Sequence, residues 1–120
     1  MDYKLINPSY LDSVAGDDPQ IIAEIVSMFK EQSSEIYMEM KTLHSKDNFK
    51  MLGMLAHKAK SSVAILGMSE LAAMLKRFEL SAKEGIEPEL YGSFIERYHE
   101  DTGKAITELD DLVRTRLKKS

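Results

Sequence analysis

Proline and glycine punctuate this sequence instead of pervading it, and that spacing is what most limits how the chain can fold. From Pro19 to Pro88 no other proline occurs, and over the same stretch apolar residues recur at three- and four-residue steps. That period lines one face of an α-helix, and neither strand-like alternation nor an internal repeat competes with it. Asp18 followed by Pro19 reads as an N-cap with proline in the first turn, opening a long helix striped by Ile22, Ile25, Phe29, Ile36, Met40 and Leu43. A second helix is expected from about Asp47 to Leu66, ending at Gly67, with Leu52, Leu55, Ala56, Ala59, Val63 and Leu66 inward. Ser69 caps a third, built on Leu71, Leu75, Phe78 and Ala82 and stopped by Gly85. Pro88 opens a fourth carrying Tyr91, Phe94, Tyr98, Ile106, Leu109, Val113 and Leu117, in which Gly103 either kinks the helix or divides it. Leu5, Ile6, Tyr10 and Leu11 suggest a short helical arm ahead of these.

Amphipathic helices joined by short connections cannot bury their stripes separately. The expected fold is therefore all-α, an antiparallel up-and-down four-helix bundle with a short N-terminal helical arm, as one domain over residues 1–120. A length of 120 residues supplies one core and no second domain, and 43% apolar with 30% charged residues is a globular composition. No apolar run approaches the roughly 20 residues of a membrane span. The opening Met1-Asp2-Tyr3-Lys4 lacks the basic stretch and apolar core of a secretory signal, so a cytoplasmic location is expected. Cysteine is absent, which removes disulfides, thiolate metal sites and thiol nucleophiles. A formal charge of -4 argues against nucleic acid as partner, and no glycine-rich nucleotide-binding segment supports a kinase. Glu96 and His99 form one Glu-x-x-His pair, whereas a di-metal bundle needs two pairs and two further glutamates, so no metal or other cofactor is expected on this chain. His44, near the end of the first long helix, is read as a partner of its dipole.

The second helix carries the chemistry. At about 100° per residue with His57 taken as zero, its apolar stripe lies between roughly 160° and 260°, so His57 points away from the core. Within about 40° of it stand Gly53, Ser61 and Ala64, all small, which leaves the imidazole uncovered. Gly53 costs helix stability at an outward position, and the reading is that a partner protein approaches there. Lys46, Lys50, Lys58 and Lys60 fall within about 100° of the imidazole, and Met54 and Met51 at about 60° and 120° add an adaptable contact surface. From Lys46 to Ser69 four lysines face one aspartate, +3, leaving -7 for the rest of the chain. An exposed imidazole in a positive patch is a competent nitrogen nucleophile, and a phosphoryl group on it would lie near Lys60, one turn on, with the Ser61 hydroxyl beside it.

Ala56-His57-Lys58-Ala59-Lys60-Ser61-Ser62, followed by Leu66-Gly67, Leu71 and Phe78-Glu79, resembles the signature of histidine-containing phosphotransfer (HPt) domains. Tyr10-Leu11 through Gly16-Asp17-Asp18-Pro19 and on to Phe29 resembles that family's N-terminal segment, so the likeness covers most of the chain. The resemblance implies a monomeric phosphorelay carrier in two-component signalling, without turnover of its own. His57 takes a phosphoryl group from the aspartate of one receiver domain and passes it to another. Lys60 matches the family's lysine and stabilises charge, and Gly67, Leu71 and Glu79 match turn and packing positions. The implied partners are response-regulator receiver domains, which bring Mg2+, and a hybrid sensor histidine kinase; Lys50, Gly53, Met54, Lys58 and Ala64 are the expected contact residues. The initial methionine favours a free-standing carrier over a piece of a larger hybrid kinase, without deciding between them. Two departures stand out: Ala59 where the family has a larger apolar residue, and Ser61 where it has glycine. The alternative is a phosphorylation-silent adaptor that binds receivers without accepting phosphate.

Overall fold

The computed structural model describes residues 3–16 and 18–119, the last by its backbone alone; Met1, Asp2 and Asp17 of the segments discussed above lie outside the described residues. Every regular element among the described residues is helical. Helix α1 spans Pro8–Ala15, capped by the Asn7 side chain and ended by Gly16 in the left-handed region, φ 62. Helix α2 spans Pro19–Ser45, and the Asp18 side chain accepts from the Gln20 N–H as the Asp-Pro pair predicts. Asp47 turns left-handed at φ 54 and Asn48 caps α3, so that helix occupies Phe49–Ala64 and is shorter at both ends than expected. Its exit turn runs through Gly67 at φ 73, where a Cβ would come within 2.5 Å of Asn7 Cβ. Helix α4 spans Ser69–Glu84. Met68 holds its N-cap position with no side-chain cap bond, so Ser69 is the first helical residue and not the cap. Gly85 ends α4 at φ 68, and Pro88–Leu90 forms a 3₁₀ turn ahead of α5, Tyr91–Lys119. Gly103 does not divide α5 into two elements; the helix assignment runs through it unbroken.

The four long helices close a ring: α2 packs on α3, α3 on α4, α4 on α5 and α5 back on α2, with α1 against α2. Ile22, Ile36, Met40, Leu52, Leu75, Phe78 and Tyr98 are fully buried between them. Each such side chain contributes roughly 1.5–3 kcal/mol through apolar area removed from water. Tyr91 fixes the α4–α5 connection by lying 2.6 Å and 2.7 Å from the Ile86 and Ser81 carbonyls. The N-terminal segment is tied to the far part of α5. The buried Glu108 carboxylate accepts from the backbone N–H groups of Lys4, Leu5 and Ile6, Tyr3 donates to Asp111 at 2.8 Å, and Arg116 meets Asp12 with both terminal nitrogens. No helix among the described residues is long and apolar enough to cross a membrane.

Candidate functional site

Helix α3 presents His57 at the seam with α4, where its side chain stays 56% exposed. Its Nδ1 lies 3.0 Å from both carboxylate oxygens of Glu79, which α4 supplies from a position only 9% exposed. An ionised carboxylate can only accept, so Nδ1 carries the proton and donates it. The other ring nitrogen, Nε2, diverges from Nδ1 across the ring and keeps its lone pair on the side away from Glu79. Two cations complete the cluster: Lys83 Nζ stands 2.8 Å from Glu79 Oε2 and Lys60 Nζ 3.4 Å from Oε1. Burial alone would raise the Glu79 carboxyl. Hydrogen bonds from Lys83, His57 and Lys60 outweigh it and hold the group at about 2, so it is ionised throughout the neutral range.

Of the residues singled out in the sequence, His57 and Lys60 meet here. Lys50, Met54, Lys58 and Ala64 are exposed on α3, as is Met51. The Ser61 hydroxyl turns back toward the His57 carbonyl of its own helix at 3.4 Å, away from the role of a ring-side donor. Gly53 requires a correction. It is buried, and a Cβ on it would meet Lys83 Cγ at 2.8 Å and the Glu79 carbonyl at 3.1 Å. The close approach that demands glycine is therefore that of α4 in the same chain, and Gly53 offers no surface to a partner. Glu79 and Lys83 escaped the sequence reading as site residues. The available signal was a carboxylate on the apolar stripe of α4, four residues after Leu75 and eight after Leu71, since a charge at a core position has to find partners.

Beyond α3, an apolar groove opens between α1, α2 and the end of α3, lined by Val14, Ile25, Met28, Phe29, Ile65 and Leu66. Val14 and Met28 are 60% and 69% exposed, and the Ser62 hydroxyl closes one side by donating to Gln32 at 2.8 Å. His99 and Glu96 are engaged by Tyr37, which stacks on the imidazole at 4.0 Å between centroids and donates to Glu96 at 3.0 Å. Among the described residues no three His, Cys, Asp or Glu side chains gather as a metal-ligand set. His44 lies in the last turn of α2, at the negative end of its dipole. No protein-family model, curated protein or solved structure matches this chain.

Proposed function

We propose that this protein is a phosphohistidine carrier that accepts a phosphoryl group on His57 from a receiver-domain aspartate and hands it to another receiver. The observation that carries the reading is the pairing of one ring: Nδ1 donates to a buried, ionised Glu79 from a side chain that stays half exposed, which leaves Nε2 as the unprotonated ring nitrogen. Such a nitrogen is a nucleophile with its tautomer already set. Its lone pair attacks phosphorus in line while the phosphorus–oxygen bond of the aspartyl phosphate breaks and its electron pair leaves on the receiver's carboxylate. The ring becomes an imidazolium, which Glu79 stabilises through the same Nδ1–H, and Lys60 supplies charge to the phosphoryl oxygens. Magnesium and the phosphorylated aspartate belong to the receiver in this scheme, so the chain acts as a carrier and not as an independent enzyme.

The closed ring of helices fits an antiparallel up-and-down bundle with α1 as its arm, because connections this short join neighbours that run in opposite directions. Such a carrier would work as a cytoplasmic monomer. The exposed apolar side chains of Val14, Met28 and Ile65 suit docking of a receiver beside the lysines of α3. The test is incubation with a phosphorylated receiver, with His57→Gln alongside. Acid-labile, base-stable label on the wild type alone is the expected result, with unchanged helical circular dichroism in the variant because His57 faces solvent. Binding of receivers without label on the wild type would establish the silent adaptor instead.

A further inference from the structure

Glu79 carries two lysines where one would balance its charge. Lys83, one turn along α4, makes the short contact at 2.8 Å, while Lys60 reaches across from α3 at 3.4 Å, outside the range of a strong charge-assisted bond. Gly53 lets the Glu79–Lys83 turn of α4 come close, since a Cβ there would sit 2.8 Å from Lys83 Cγ, 3.1 Å from the Glu79 carbonyl and 3.2 Å from Lys83 N. Glycine inside a helix costs about 1 kcal/mol relative to alanine. Helix α3 forgoes that stability where the turn of α4 that carries Glu79 and Lys83 packs against it.

The geometry points to a hand-off of charge: Lys83 is a positioning residue that keeps Glu79 paired while Lys60 turns from Glu79 to a phosphoryl group on His57. The inference rests on the phosphotransfer reading. In the unmodified site one carboxylate faces two ammonium groups beside a neutral ring. After transfer the ring is an imidazolium bearing a phosphoryl dianion on Nε2, so two anionic centres flank the imidazole and two lysines serve them. Lys83 stays with Glu79 through its shorter bond on the same helix. Lys60 shares a helix face with His57, one turn on, and is the cation free to follow the phosphoryl group. Without Lys83, Lys60 would be the only cation on the buried carboxylate while the ring is still neutral, so it would be held on Glu79 as the phosphoryl group arrives.

The test uses the full chain and phosphoramidate, a small donor that needs no receiver: Nε2 attacks phosphorus, the phosphorus–nitrogen bond breaks and ammonia leaves. Phosphohistidine is followed by ³¹P NMR in the wild type, Lys83→Met, Lys83→Arg, Glu79→Gln and the Glu79→Gln/Lys83→Met double variant, with circular dichroism confirming the fold of each. Lys83→Met is expected to slow labelling about tenfold, the scale of one charged hydrogen bond, and Lys83→Arg to restore most of it. In the Glu79→Gln background, Lys83→Met should slow labelling no further, since its effect passes through the carboxylate. Wild-type rates in Lys83→Met would overturn the hand-off, and so would equal slowing in both backgrounds, which would put Lys83 on the phosphoryl group itself. A wild type that takes no label at His57 overturns the phosphotransfer reading and the hand-off with it.

Discussion

A carboxylate 9% exposed and bonded to one imidazole and two ammonium groups has a signature in pH. Glu79 is held at about 2 in the folded chain against an ordinary 4.5, so folding favours its ionised form. The stability this contributes is fully present above pH 4.5 and is lost as the pH falls toward 2; by linkage it is roughly 3 kcal/mol at neutral pH. In denaturant titrations, the stability gap between wild type and Glu79→Gln should be constant from neutral pH to about 5 and shrink by about half or more at pH 3. A gap unchanged at pH 3 would contradict the pairing. Tyr98 makes the opposite case: its hydroxyl is buried with no partner among the described residues, and burial raises its phenol. Tyr98→Phe should therefore leave stability unchanged or raise it by about 1 kcal/mol in the same assay. At this scale the sequence was half legible. His57 and Lys60 share a helix face and are found by counting 100° steps, but Glu79 and Lys83 join them from another helix, and only the anomaly of a charge on an apolar stripe betrays one of them.

Glycine separates the helices that were read well from the turns that were not. The apolar period placed all four long helices because three- and four-residue spacing is a property of one element alone, and Asp18-Pro19, Gly67 and Gly85 marked their ends. Ser69 failed as a cap because the preceding turn already runs through left-handed Gly67, leaving Met68 at the N-cap. Gly53 was misjudged because a helical wheel knows nothing of where the neighbouring helix lies. Gly103 looked like a break, yet a Cβ there meets nothing within 4 Å and α5 continues on both sides of it as one element. Gly103→Ala should therefore stabilise the protein by about 1 kcal/mol, raising the melting temperature by a few degrees. Gly67→Ala should do the reverse, losing at least about 1–2 kcal/mol, because its φ of 73 disfavours any Cβ and Asn7 leaves no room for one. Equal melting temperatures for the two variants would contradict both accounts.

Across the described residues, which measure 48 × 21 × 20 Å, the segment from Tyr3 to Asp12 meets the far part of α5. Glu108 gathers three backbone N–H groups of residues 4–6, with Tyr3–Asp111 and Asp12–Arg116 on either side. Glu108→Ala should cost about 2–4 kcal/mol, since it strips a charged acceptor from partly buried amides. It should also speed hydrogen exchange at Leu5 and Ile6 while leaving phosphoramidate labelling of His57 unchanged; slowed labelling would mean that the two regions are coupled. Nothing in the local pattern announced this tie, because its partners stand about a hundred residues apart and use ordinary polar side chains. It also decides how the molecule would respond to being pulled. Tension applied between the termini would enter at Tyr3, cross to α5 at Glu108 and Asp111, and leave along the last turns of that helix. The load would be short-circuited through a small corner of the protein, and α3 and α4, with the imidazole between them, would remain slack until that corner tore.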